Sequence, residues 1–302
     1  MIKTYIRLLR VPQWIKNSFV FVPLIFSLHL FQGNYLLRAI AAFIVFSLIS
    51  SIVYIINDVI DIEADKAHPH KRFRPLPSGA ISKNNALLVA AVLFFIVIIS
   101  LPQFNIDFII VSITYLILNI FYSFILKHIV LLDIFSIAAG FMLRIVAGAL
   151  AINVELSSWL ILTTMFISLF LGVMKRRSEL VLIAPNDPAD NPLKSEENIT
   201  TRKVLAFYSV NFADQMATIA AAGVIVCYAL YTVSARTISV FQTEDLIYTT
   251  PFVVFGIFRY MYLVYMNQKG ENTTEIMISD IAMITTVLLY VFTTTVIIYS
   301  NL

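Results

Sequence analysis

The sequence predicts an all-α fold: a multi-pass membrane bundle of nine transmembrane helices with the N-terminus on the cytoplasmic side. Three observations carry that prediction. Of 302 residues, 60% are hydrophobic and 13% charged, with a mean hydropathy of +0.88; soluble domains carry about 25% charged residues. Nine apolar segments recur along the chain, most of them near the ~18 residues that mark a membrane helix. Lys and Arg gather in alternate intervals between those segments, the bias that sets membrane orientation.

The elements follow in order. Ser18–Leu30 is the first and shortest, extended by its flanks, and Leu36–Ile56 is the second. Ala86–Leu101, again short, is followed by Ile106–Leu126, Val130–Ile152 and Trp159–Met174. Val204–Val233, Ile247–Tyr265 and Ile281–Ile298 complete the set. The Ile and Val runs do not argue for strands, because a bilayer core requires every backbone group to be paired within the spanning segment. Three longer polar intervals, about 57–85, 175–203 and 267–280, fall on one face, so residues 1–302 read as a single integral-membrane domain with three cap loops.

That face collects Lys3, Arg7, Arg10 and Lys16, then Lys66 to Lys83, Lys127, Lys175 to Arg177 and Lys203. The opposite face keeps Arg38 and Arg236. An odd number of spans follows, with a basic cytoplasmic face hidden behind a net charge of only +3. Such a face suits lipid headgroups and phosphorylated substrates. The lone Cys227 lies in an apolar segment and reads as a structural thiol.

Chemistry concentrates after the second segment, in NDVIDIEADKAHPHKRFRP, Asn57 to Pro75. Asp58, Asp61 and Asp65 stand at i, i+3 and i+7, within an arc of roughly 60° on a helix that can run to Pro69. Asp58 and Asp65 would lie roughly 10 Å apart along the axis, too far for one ion to bridge easily. Hard carboxylates suit Mg²⁺ or Mn²⁺. Zinc is disfavoured, since His68-Pro-His70 is no helical pair and no Cys cluster exists. Lys71, Arg72 and Arg74 follow directly, placed for phosphate oxygens. Acids and then bases at the mouth of a membrane helix describe a diphosphate–metal site; the alternative is a charge run whose salt bridges cancel.

Asn57-Asp58-x-x-Asp61-x-x-x-Asp65-x-x-His68-Pro69-x-Lys71-x-x-Arg74-Pro75 resembles the first aspartate motif of the UbiA superfamily of membrane prenyltransferases. Its tail is similar to one branch, the decaprenyl-phosphate phosphoribosyltransferases. PQWIKN (Pro12–Asn17), YSFILKHIVLLDI (Tyr122–Ile134), AAGFMLRIVAGALAI (Ala138–Ile152), FLGVMKRRSEL (Phe170–Leu180) and PFVVFGIFRY (Pro251–Tyr260) agree. The resemblance implies a nine-helix transferase in the cell membrane that binds a diphosphate through Mg²⁺ held by Asn57, Asp58, Asp61 and Asp65. It implies phosphoribosyl diphosphate as donor and a polyprenyl phosphate as acceptor, with diphosphate released. A homo-oligomer is among the expectations, and no nucleic acid is expected as a partner.

Typical superfamily members carry a second Asp-rich motif after the sixth span. Here that place reads KRRSEL, with Lys175, Arg176 and Arg177. A basic cluster can hold a further phosphate directly, such as the one on ribose C5, or simply flank the membrane. Asn186-Asp187-Pro188-Ala189-Asp190 reads as a loop because Pro185 and Pro188 forbid a helical acid face.

Arg144 lies inside an apolar segment, where an arginine is a functional candidate by default; pairing with Asp133 or Asp280 is the rival reading. Tyr122 and Lys127 resemble the family's Tyr/Lys motif with one extra residue between them. Lys16 and Asn17 are candidates for closing the head-group site. The competing functions are an aromatic prenyltransferase, which predicts a second acidic face, and a transporter, which predicts ionisable groups at several midplanes.

Overall fold

The computed structural model describes residues 2–67, 71–183, 203–267 and 279–300, and among them it is helical with no strand. Eight helices there are long and apolar enough to cross a membrane. In chain order the helices are α1 (Ile2–Leu8), α2 (Val22–Ile25), α3 (Gly33–Ile60), α4 (Ile62–Ala67), α5 (Lys83–Ser100) and α6 (Ile106–Phe124). There follow α7 (Leu132–Ala151), α8 (Ser158–Ile183), α9 (Val210–Val233), α10 (Ala235–Phe241), α11 (Thr250–Asn267) and α12 (Ile281–Tyr299).

The expected first span departs from the sequence reading. In place of one α-helix over Ser18–Leu30, a 3-10 helix covers Val11–Phe21 and α2 covers only Val22–Ile25. Arg10 enters the left-handed region at φ 50°, and prolines at positions 12 and 23 limit where an α-helix can start and continue. Side-chain bonds then hold the 3-10 segment to α3: Trp14 Nε1 donates to Ser51 Oγ at 3.0 Å and Asn17 Nδ2 to Ser47 Oγ at 3.1 Å.

Four of the long helices start where short polar side chains satisfy the free backbone N–H groups. Ser82 accepts from Asn85 N, Asn105 from Phe108 N, Ser209 from Phe212 N and Asp280 from Met283 N. Hydroxyls inside the spans turn back on their own helix, as with Thr114 to Ile110 O and Ser168 to Thr164 O, which pairs them within the spanning segment. Large apolar residues on α5 such as Leu88, Phe95 and Ile99 stay outward, the surface an integral membrane protein presents to lipid tails.

The chain divides into two compact units. The first comprises Met1–Leu24, Gln32–Leu126 and Leu143–Val154. Its core is built from Phe46, Ile52 and Ile55 of α3, Phe108 and Tyr115 of α6, and Ala147 and Ala151 of α7. Gly148 is required there: a Cβ at that position would stand 2.1 Å from the Val20 carbonyl oxygen, so only glycine lets α7 meet the 3-10 backbone.

The second unit comprises Ile25–Phe31, Lys127–Met142 and Glu155–Leu302. Ala213, Ala217, Ala220 and Ala221 on α9 pack with Phe170, Leu171 and Met174 of α8, and Ile257 and Tyr260 of α11 join the same core. Small residues bring membrane helices close where no hydrophobic force acts between them. The sixth span also ends later than expected, because α8 continues through Lys175, Arg176 and Arg177 to Ile183.

Candidate active site

The acidic stripe is carried over a joint between two helices. α3 ends at Ile60, Asp61 takes φ −90° and ψ 12°, and α4 resumes at Ile62. The expected single helix to Pro69 is therefore broken at Asp61, and His68, Pro69 and His70 lie outside the described residues. The i→i−4 bonds nevertheless cross the joint, Asp61 N to Asn57 O at 2.9 Å and Asp65 N to Asp61 O at 2.8 Å. Helical phase is thus retained. Asp58 and Asp65 are buried, at 2% and 4% exposure, Asn57 and Asp61 are half-buried, and Glu63 turns outward to pair with Lys66.

The basic tail folds back onto these acids. Past the short 3-10 turn Lys71–Phe73, Ser78 N bonds Arg74 O, Ile81 N bonds Pro75 O, and Leu76 and Ile81 enter the unit's core. Arg74 is thereby aimed at both carboxylates: its Nη1 lies 2.6 Å from Asp65 Oδ2 and 3.3 Å from Asp58 Oδ1. Lys71 Nζ stands 3.9 Å from Asp65 Oδ1. Arg10 pairs with Asp58 and rests 4.7 Å above the Tyr54 ring. One cationic group does reach Asp58 and Asp65 together, since the joint at Asp61 relieves the straight-helix separation.

Two buried carboxylates turned onto one positive group are a donor set suited to a hard cation. No group of three or more His, Cys, Asp or Glu converges on a metal position among the described residues. The fit is therefore to an ion such as Mg²⁺ that takes one or two carboxylates and fills its remaining positions with oxygens of water and substrate.

Below the acids, the 3-10 segment and α3 run antiparallel, as the pairs Arg10–Asp58, Trp14–Ser51 and Asn17–Ser47 register. At the Asn17 level Arg144 donates from Nε to Asn17 Oδ1 at 2.7 Å and from Nη2 to the Tyr115 hydroxyl at 2.6 Å. Its guanidinium also lies 4.8 Å from the Tyr115 ring centre. Asp133 pairs with Arg176 and Asp280 with Arg259. Lys16 is half-buried beside this group.

The second unit holds the KRR run. Arg176 is fully buried, its Nε 2.5 Å from Asp133 Oδ2 and its Nη1 2.5 Å from Glu179 Oε2. Tyr208 donates to the other oxygen of Asp133 at 2.8 Å. Arg177 binds Asp214 at 2.6 Å, a carboxylate that Tyr265 also bonds at 2.9 Å. Two cations expected at a phosphate thus engage carboxylates of their own unit, and Lys175 is half-buried beside them. Tyr122 is half-buried near the end of α6, and Lys127 is half-buried in the 3-10 turn Leu126–His128. Residues 186–190, including Asp187 and Asp190, lie outside the described residues.

Sequence reading missed Arg10 and Tyr115. Arg10 was counted only as part of the basic face, yet it stands two residues ahead of Pro12 in the segment registered on α3. Tyr115 carries a polar tip in the middle of an apolar helix, a signal available but unused.

Residues 20–177 match the family model for the UbiA prenyltransferase family. The chain belongs to that family. This UbiA protein is 31% identical over 249 residues to the decaprenyl-phosphate phosphoribosyltransferase of Mycolicibacterium smegmatis, covering 81% of this chain and 75% of that one. It is 34% identical over 230 residues to the enzyme of the same name from Corynebacterium glutamicum, covering 75% and 66%. Among solved structures, the UbiA homolog from Archaeoglobus fulgidus bound to GPP and Mg²⁺ superposes with a TM-score of 0.72 at 15% identity, over 98% of this chain and 99% of that one. At that identity the likeness establishes the fold.

Proposed function

We propose that this UbiA protein transfers the 5-phosphoribosyl group of phosphoribosyl diphosphate to a polyprenyl phosphate, releasing diphosphate. The observation that carries the reading is the convergence of Asp58 and Asp65 on one cationic group at the mouth of α3. The names of the relatives give it direction.

The bond from ribose C1 to the diphosphate oxygen breaks, its electron pair departing with diphosphate. An oxygen of the acceptor phosphate forms the new bond to C1. That oxygen is already anionic, so no proton has to be removed and no dedicated base is needed. Asp58 and Asp65 would hold the divalent cation, for which Mn²⁺ is the natural substitute. When bound, Mg²⁺ supplies charge neutralisation at the leaving diphosphate. Lys71 and Arg74 contribute donors to diphosphate oxygens. Rate enhancement then rests on positioning and fixed charge. The basic face, and with it the site, faces the cytoplasm across the plasma membrane.

The test supplies purified protein and Mg²⁺ with either phosphoribosyl diphosphate and a polyprenyl phosphate or a prenyl diphosphate and an aromatic acid. Turnover of the first pair alone is expected. Turnover of the second pair alone would overturn the choice of substrate.

A further inference from the structure

We propose that Arg74 is a counter-ion gate on the acidic stripe. Its guanidinium and a divalent cation compete for the same oxygens of Asp58 and Asp65, and a diphosphate that draws Arg74 away admits the cation. The gate rests on the function proposed above in one respect, that a divalent cation and a diphosphate meet at these acids. It does not depend on what the diphosphate carries.

Asp58 and Asp65 are 2% and 4% exposed. Carboxylates so buried are costly unless a cation stays with them. Arg74 meets that need from one nitrogen, its Nη1 donating to Asp65 Oδ2 at 2.6 Å and to Asp58 Oδ1 at 3.3 Å. A divalent cation held by the same two residues draws on the same lone pairs and sets its charge against the guanidinium's. Like charges so close repel strongly where water is scarce. Cation and guanidinium therefore exclude one another.

Arg74 is the partner that can move. Its backbone is fixed on both sides, with Arg74 N bonded to Lys71 O at 2.9 Å and Ser78 N to Arg74 O at 3.0 Å. Leu76 and Ile81 anchor the same turn in the core. Its side chain is 30% exposed, so the guanidinium can leave the acids by rotation about its own bonds. Arg10 also bonds Asp58 Oδ1, but it is seated over the Tyr54 ring, 4.7 Å from the centre, which ties it in place. Lys71 reaches Asp65 at the other oxygen, Oδ1, at the looser distance of 3.9 Å.

A diphosphate offers a guanidinium the same two-pronged acceptor geometry as a carboxylate. It thus draws Arg74 off the acids and brings oxygens for the cation's remaining positions. The two ligands are coupled through one side chain, and such coupling is reciprocal. Either binds weakly alone, and together they bind tightly. The buried acids stay paired at every stage, and the site does not load with metal ahead of the diphosphate.

The experiment measures Mn²⁺ binding to the purified protein by electron paramagnetic resonance and calorimetry, with and without inorganic diphosphate. The Mn²⁺–diphosphate complex formed in solution is the same correction for every protein compared. In the parent, diphosphate is expected to raise Mn²⁺ affinity about tenfold or more. Arg74→Gln should bind Mn²⁺ alone about tenfold more tightly than the parent, and diphosphate should then add little. Arg74→Lys, the milder change should Arg74→Gln disturb folding, is expected to fall between the two, since an ammonium lacks the bridging fork. Lys71→Gln removes an equal charge from the same turn and should leave the binding of Mn²⁺ alone close to that of the parent.

Equal Mn²⁺ affinity in the parent and both Arg74 variants, or an equal gain from Lys71→Gln, would overturn the gate. Mn²⁺ binding absent from parent and variants alike would overturn the gate together with the carboxylate site. No ribosyl or prenyl group is present in any arm, so a wrong choice of reaction leaves each of these outcomes unchanged.

Discussion

Arg74 lies 2.6 Å from Asp65 of α4 and reaches Asp58 of α3 from the same nitrogen, so it bridges the joint at Asp61. A basic residue that the linear motif places nine positions after Asp65 is thus the group that draws two buried acids together. Arg74 is 30% exposed, so solvent screens part of the attraction. Arg74→Ala should cost about 2 kcal/mol, the worth of charge-assisted hydrogen bonds left unmade. Arg74→Lys should recover part of the stability without the bridging geometry. Thermal unfolding in detergent reads both changes.

Asp61→Asn should lower kcat by about 10²-fold or more, the scale lost when a preorganised charge at a reacting centre is removed. Asp61 is half-buried and its backbone bonds survive the change, so the melting temperature should stay close to that of the parent. Full activity in this variant would contradict the role of the acidic stripe.

Gly148→Ala places a Cβ against the Val20 backbone and should destabilise the protein by about 1–3 kcal/mol through overpacking. Gly33→Ala is the control, since nothing lies within 4 Å of its Cβ position. A Gly148→Ala protein that melts with the parent would show that α7 and the 3-10 segment are less closely apposed.

Arg176 and Asp133 are both fully buried. Arg176→Ala strands the Asp133 charge and should cost about 3–5 kcal/mol. Loss of folded protein on expression, or a sharply lowered melting temperature, is the expected outcome. Undiminished stability with a raised donor KM would instead favour a direct phosphate role for Arg176.

Much of the fold was legible because a bilayer reduces the choice of spanning structure to helices, and apolar run length then marks them. Ala86–Leu101 and Ile281–Ile298 fall close to the helices α5 and α12 for that reason. The first segment was not legible in this way. Its register is fixed by Asn17 and Trp14 bonding to serines of α3, and such tertiary bonds leave no trace in local hydropathy.

The acids were found because helical spacing exposes them. Their bridging by Arg74 was not, because it depends on the break at Asp61 and the turn through Leu76. The KRR run shows the opposite limit. Sign change alone suggested phosphate binding, whereas its partners Asp133 and Asp214 lie 43 and 37 residues away in the chain.

The most direct test of the central claim follows the reaction by ³¹P NMR, with purified protein, Mg²⁺, phosphoribosyl diphosphate and farnesyl phosphate. The donor's diphosphate resonances should disappear while free diphosphate and a new phosphodiester resonance grow in equal amounts. Unchanged donor, with free diphosphate appearing only when a prenyl diphosphate and an aromatic acceptor are supplied, would contradict it.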